Sequence, residues 1–288
     1  MLKKLNLKSF NLFEYLKEQQ RQYMSVPYLL ADKHTYKDAR VRFPFRTFTY
    51  GIGLTYTGIP ELFKIGSTDY AVGAGCLTTI GPGIVSHWMG DYTADHDTIY
   101  FTEELFANSL RASFLKSLPF FMPGGNHVIP LDEQAVAEMG TLFRTIKTFN
   151  GDQDIITGLV YALLVLVKKY HNLQGQHMPA EGSHQGQVAA TFRQLLAKHF
   201  ATQKDVGFYA AHLHISPKYL SEVLQAQLGK PAKMLIDEYI AMEAKSLLRQ
   251  TTMSVQEIAY TLGYEDGSYF IKAFKKWEGL TPAAYKKL

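Results

Sequence analysis

Several features that whole classes of protein need are missing here. The 288 residues hold one cysteine, Cys76, which excludes an intrachain disulfide framework and any zinc site built on several thiolates. A lone thiol fits a reducing cytoplasm. The longest apolar run, Ile156 to Val167, falls short of the ~20 residues that cross a bilayer. The opening "MLKKLNLKSFNLFEYLKEQQ" begins with lysines, but charge interrupts it too soon for a secretory leader. There is no nucleophile elbow and no glycine-rich phosphate loop. Neither charge sign dominates, with 30 Lys and Arg against 26 Asp and Glu. Apolar residues are not short: at 47% they suffice for two cores, as the length leads one to expect.

The balanced total hides an uneven distribution. From His184 onward there are 13 basic and 9 acidic residues, which leaves 17 of each before that point. The whole excess therefore lies in the C-terminal part. That part also carries a repeated unit. In "SVQEIAYTLGYEDGSYFIKAFKKW", Ser254 and Glu257 form an S-x-x-E capping box, with Met253 and Ile258 at hydrophobic-staple positions. Gly263 ends the first helix, where a left-handed residue costs glycine little. Asp266 caps a second helix whose inner face is Phe270, Ala273, Phe274 and Trp277. The earlier stretch "VGFYAAHLHISPKYLSEVLQAQLGKP" repeats the design. Ala210 and Leu213 match Ala259 and Leu262, and Leu220, Leu224 and Gly229 match Phe270, Phe274 and Gly279. Ser216 followed by Pro217 opens its second helix. Small alanines permit the close helix crossing of a helix-turn-helix, whose second helix enters the major groove. Between the copies, "AKMLIDEYIAMEAKSLLRQ" predicts a helix of roughly 25–30 Å, near the ~34 Å between successive major grooves on one DNA face.

From about Gln185 to Leu288 the chain resembles the AraC/XylS family of bacterial transcription regulators. The resemblance rests on "EAKSLLRQTTMSVQEIAYTLGYEDGSYFIKAFKKWEGLTPAAY". It implies that double-stranded promoter DNA is the partner, read by the polar faces of both second helices. Carried over by position, the first offers Lys218, Ser221, Glu222 and Gln225. The second offers Gly267, Ser268 and Lys272, with Lys275 and Lys276 for phosphates. Four positions depart from the family pattern. Lys272 stands where arginine is common, so a point charge replaces a bidentate fork. Gly267 replaces a frequent proline, Tyr239 a common arginine, and His214 a glycine that would ease the turn. A DNA-repair methyltransferase fused to a similar unit would need a zinc-binding set of cysteines, which one Cys76 cannot supply.

The N-terminal half has another texture. From about Val41 to Phe106, "RTFTYGIGLTYTG", "ELFKIGSTDYAVG", "GCLTTIGPGIVSHWM" and "DHDTIYFTEELF" read as short strands broken by turns. They predict a small β-barrel or jelly roll. Helices follow over 131–148 and 154–171, then the polar, aperiodic "NLQGQHMPAEGSHQGQ". The fold class expected is therefore α+β in two domains. Residues 1–171 would form a cupin-like β-barrel with a helical tail, for regulation and dimerisation. Residues 172–184 would be a linker, and 185–288 an all-α domain with two helix-turn-helix motifs. The order of parts and "GPGIVSHWM" also resemble the family, whose regulatory domains are often cupin-like.

Metal cupins use an H-x-H pair, a glutamate and a later histidine. Only the later half is echoed here, by Gly81-Pro82-Gly83 ahead of His87. His96, Asp91, Asp95 and Asp97 lie nearby in sequence, and isolated histidines are more often turn or core residues, as Tyr92 and His96-Asp97 read best. No metal, no cofactor and no catalytic residue is expected. The reading is a cytoplasmic, non-enzymatic regulator controlled by a small-molecule effector in the barrel, meeting RNA polymerase if it activates. Candidate effector residues are Arg46, Tyr50, Tyr56, His87, Trp88 and Tyr100, each of which could equally serve core or surface packing. A barrel that only dimerises, or a cupin-like enzyme tethered to DNA, are the alternatives. The helix over 154–171 carries two apolar stripes, Leu159, Leu163, Leu166 and Ile156, Val160, Leu164, Val167, so one could face the barrel and the other a twin chain in a homodimer.

Overall fold

The structure is a computed structural model that describes residues 27–37, 43–47, 49–91, 94–106, 112–115, 117–177 and 184–287. The N-terminal segment read above as no leader, Tyr92 and residues 178–183 of the linker lie outside that range. The N-terminal half runs β1 (Tyr28–Asp32), α1 (Lys33–Lys37), β2 (Phe45–Arg46), β3 (Tyr50–Thr55), β4 (Glu61–Ile65) and β5 (Thr68–Val72). It continues through β6 (Cys76–Ile80), β7 (Val85–Trp88), β8 (His96–Phe101), α2 (Ala112–Leu115), β9 (Val128–Pro130), α3 (Glu133–Thr148) and α4 (Gln153–His177).

These strands make two antiparallel sheets, ordered β1-β8-β3-β6-β9 and β2-β7-β4-β5. Among the described residues no ladder joins them, so the barrel expected from the sequence is an open pair of sheets. Its edges explain why. β2 is two residues long, and β9 ends at Pro130, which has no N–H to extend a ladder. The four strand-rich stretches of the sequence all appear, while β1 and β9 fall outside them.

Alternation along β3 divides the sheet's two faces. Tyr50, Ile52 and Leu54 join Leu77, Ile99 and Phe101 in a buried core against α3 and α4. Asp132 caps α3 by accepting from the Ala135 N–H at 2.8 Å, and Ala135, Met139, Phe143 and Ile146 form its buried stripe. On α4, Ile156, Val160, Leu163, Leu164 and Val167 are all fully buried in the same core. Leu163 therefore packs inward with the second stripe, while Ile155 and Val165 face outward. The helix also continues to His177, into the segment read as linker.

The C-terminal half is helical throughout: α5 (His184–His199), α6 (Val206–His212), α7 (Pro217–Leu228), α8 (Ala232–Gln250), α9 (Val255–Thr261), α10 (Gly267–Glu278) and α11 (Pro282–Lys287). Leu235, Ile236, Tyr239 and Ile240 of α8 pack with α6 and α7, whereas Ala244 and Leu248 pack with α9 and α10. One helix thus serves two small cores.

Candidate nucleic-acid interface and inter-sheet cavity

Each helix-turn-helix is fixed by local hydrogen bonds that its own residues supply. In the first, Ser216 Oγ accepts from the Tyr219 N–H at 3.1 Å, and Gly229 closes α7 at φ 73°. In the second, the Ser254 N–H donates to Glu257 Oε2 at 2.7 Å and the Glu257 N–H returns to Ser254 Oγ at 3.2 Å. Asp266 Oδ1 accepts from the Ser268 N–H at 2.7 Å, and Gly279 closes α10 at φ 76°. Leu220, Leu224, Phe270 and Phe274 are fully buried, so the opposite faces of α7 and α10 are the ones left to meet a ligand.

The residues carried over from the family fall on those faces with one exception. Lys218, Glu222 and Gln225 are exposed on α7 and Ser221 is half-buried. Lys218 and Glu222 lie 4.0 Å apart, with the lysine side chain 88% exposed. Gln225 turns back to donate to the Gly229 carbonyl at 2.9 Å. On α10, Ser268, Lys272, Lys275 and Lys276 are exposed. The Lys272 ammonium lies 6.0 Å from the centre of the exposed Tyr269 ring. Lys275 and Lys276 occupy the last turn, where the helix dipole favours cations. Gly267 is the exception: it is buried, and a Cβ there would stand 2.1 Å from Gln256 Oε1 of α9. Lys204 ties the two units together by donating to the Gly263 carbonyl at 3.0 Å, with its ammonium 4.6 Å over the Tyr264 ring. Burial lowers its pKa.

Between the two sheets lies a cavity of about 70 Å³. Its floor is the inner face of the five-stranded sheet: Gly51, Gly53 and Thr55 of β3, Thr78 of β6, and His96, Thr98 and Tyr100 of β8. A Cβ on Gly53 would stand 2.7 Å from Thr78 Oγ1 and 3.0 Å from Thr98 Oγ1, so the absent side chain is what opens the space. Phe45, Thr47, Phe63 and Trp88 line the opposite wall. No Lys, Arg, Asp or Glu lines it. Trp88 Nε1 donates to Glu61 Oε2 at 2.6 Å.

Of the six candidate effector residues, only Trp88 and Tyr100 line this cavity. Tyr50 lies on the core face, donating to Glu103 Oε1 at 3.0 Å, with a pKa raised by burial and that carboxylate. Tyr56 donates to Asp97 Oδ2 at 2.9 Å and packs against Gly140 of α3. Burial and Asp97 raise its pKa. His87 lines a cleft between β4, β7 and α8, on the far side of the sheet. Arg46 also turns away from the cavity. Its guanidinium bonds Glu243 of α8 and the Gly83 carbonyl. The lining residues that sequence reasoning missed, chiefly Gly51, Gly53 and Thr55, had a signal: they alternate with Tyr50, Ile52 and Leu54. Among the described residues no three His, Cys, Asp or Glu side chains are placed to hold a metal ion. No helix among them is long and apolar enough to cross a membrane.

Comparison with known proteins matches residues 209–288 to a helix-turn-helix domain family. The chain is similar to the raffinose operon transcriptional regulatory protein RafR of Pediococcus pentosaceus, 24% identical over 52% of this chain and 54% of that protein. It is similar to the arabinose operon regulatory protein of Escherichia coli, 30% identical over 32% of each chain. The first curated relatives it matches are covered over 11%, 54% and 35% of their own lengths, so it spans about half of them at most. Among solved structures, the DNA-binding domain of AdpA in complex with a target DNA matches 36% of this chain and 89% of that one, at 23% identity and a TM-score of 0.32.

Proposed function

Because the chain belongs to the AraC/XylS family through its C-terminal helix-turn-helix domain, we propose that it is a sequence-specific DNA-binding transcription regulator with an effector site in its N-terminal half. The observation that carries the DNA-binding part is the exposed lysine face of α10, in the half of the chain that holds the entire positive excess. α10 anchors phosphates through Lys275 and Lys276 and reads bases through Ser268 and Lys272. α7 reads through Lys218, Ser221, Glu222 and Gln225. Titrating the full-length protein with promoter DNA across salt concentrations tests this. Affinity should fall steeply as salt rises, and a flat response or no binding at low salt overturns it.

The cavity supports an effector reading because its interior is left open and neutral. Its lining, hydroxyls on one wall and aromatic rings on the other, suits a small uncharged molecule once a wall moves to widen it. Two relatives are named for raffinose and arabinose operons, so neutral sugars are the first compounds to titrate against Trp88 fluorescence. Failure of the whole set would favour a domain that only dimerises. The twin chain docks on the outer stripe of α4, where Val165 is 46% exposed and Ile155 39%. Gly158 and Ala162 on that stripe let a second helix approach closely. Light scattering should give a dimer for the native chain and a monomer for Val165→Glu. RNA polymerase is the further partner if the protein activates transcription.

A further inference from the structure

The cavity and the DNA-reading half share a wall. Strands of the four-stranded sheet place successive side chains on opposite faces, and here both faces are in use. On β2, Phe45 and the following Thr47 face the cavity, while Arg46 between them faces α8. On β4, Phe63 lines the cavity and Lys64 donates to Glu238 of α8 at 2.8 Å. On β7, Trp88 lines the cavity and His87 the cleft beside α8. Gln250, at the end of α8, behaves like an added rung on the edge strand. Its Oε1 accepts from the Arg46 N–H at 2.9 Å, and its Nε2 donates to the Arg46 carbonyl at 3.3 Å.

The two walls differ in what supports them. Behind the five-stranded sheet lies close-packed apolar core, which resists changes of volume. Behind the four-stranded sheet lies α8, held by the ion pairs Arg46–Glu243 and Lys64–Glu238, which depend on direction more than on filled volume. The cavity's 70 Å³ is well below the ~300–1,000 Å³ of ordinary small-molecule pockets. A ligand of that class can enter only if one wall gives way, and the polar one gives way first.

We propose that occupancy of the cavity is transmitted to the DNA reader through the Arg46–Glu243 contact, by displacement of the four-stranded sheet against α8. This rests on the reading of the cavity as an effector site. Glu243 is 2% exposed and sits between Ile240, which packs with the first unit, and Ala244, which packs with the second. A shift of the sheet therefore acts where the two reading heads are joined. It changes their relation to each other without touching either DNA face.

Substitutions that fill the cavity test this without any ligand. Thr98→Leu and Thr55→Leu add bulk on the opposite wall, and Arg46→Met and Glu243→Leu break the contact itself. Hydrogen–deuterium exchange on the full chain reads the outcome. All four variants should speed exchange of the 232–250 amides at least threefold, with melting temperatures confirming that each is folded. DNA affinity should change in the same direction in all four. The proposal is overturned if the folded fillers alter exchange only in 50–55 and 96–101 and leave α8 as it was. It is also overturned if breaking Arg46–Glu243 leaves α8 exchange unchanged. Sugar titration of the native chain is a separate measurement, so loss of the effector reading and loss of this coupling give different results.

Discussion

The two helix-turn-helix units can be laid over one another residue by residue. Both bury an alanine in the first helix, Ala210 and Ala259, with no exposure. Both close the turn on that alanine's carbonyl, from the Ile215 N–H at 3.0 Å and the Tyr264 N–H at 2.9 Å. They part at two points. The turn residue of the second unit is Gly263 at φ 74°, while the first holds His214 at φ 55°, the one non-glycine residue in the left-handed region among those described. The second helices of the two units also differ in charge. α7 sets Lys218 against Glu222, whereas α10 shows Lys272, Lys275 and Lys276 and no carboxylate until Glu278, which pairs with Lys245 of α8 at 2.9 Å. The shared skeleton needs only small residues, caps and apolar positions. Charge on the outer face is free to vary, and here it does.

The largest way to break the comparison is Gly263→Val. A Cβ there meets the Ala201 carbonyl oxygen at 1.5 Å on top of the backbone penalty, so denaturant melts should lose about 3 kcal/mol or more. Next comes the split between reading and anchoring on α10. Lys272→Ala should cost roughly 1–3 kcal/mol on the cognate site and less on a scrambled one. Lys276→Ala should weaken both alike and reduce the salt slope by about 1. Equal losses on both sites for Lys272→Ala would remove it from base reading.

The junction between the units supplies a third test, through pH. Burial pushes the Glu243 carboxyl up from 4.5 to about 7, against the pull of Arg46. Its folded form therefore holds a proton that the unfolded chain releases. Stability from this group is complete below pH 4.5 and is lost as pH rises to 7. Burial holds His127, in the N-terminal half, down from 6.5 to about 4, so its contribution is complete above pH 6.5 and is lost as pH falls towards 4. Comparing melting temperatures of Glu243→Gln and the native chain cancels His127. The difference should move in the variant's favour from pH 4.5 to 7, and a constant difference would refute the assignment. The smallest expected effect is His214→Gly, which should stabilise the first unit by up to about 1 kcal/mol by relieving the left-handed strain.

Much of the helix-turn-helix half was legible because its determinants are local. A capping box spans four residues, a C-terminal glycine marks one backbone angle, and a repeated alanine and leucine fix a helix crossing. Ser254, Glu257, Asp266, Gly229 and Gly279 all take the roles their sequence context predicts. Gly267 is buried beside Gln256 of a neighbouring helix, a contact that no local motif announces. The strands of the N-terminal half were legible as strands, but not which face of each would look into a cavity.

For this protein the sequence by itself determined the two helix-turn-helix units, the helix between them, the strand-rich half and the side on which the charge lies. Periodicity and capping act over a few residues, so they can be read from a few residues. Tertiary structure alone decided that Arg46 turns from the cavity to α8. It also decided that Glu243, Ser246 and Gln250, polar residues that share the side of that helix with Leu235 and Tyr239, are buried, and that Glu243 and Gln250 meet Arg46 of a distant strand. Partners such as Arg46 and Gln250 stand 204 positions apart in the chain. Periodicity along a helix says which residues share a face; it carries no information about what a distant strand will bring to meet them.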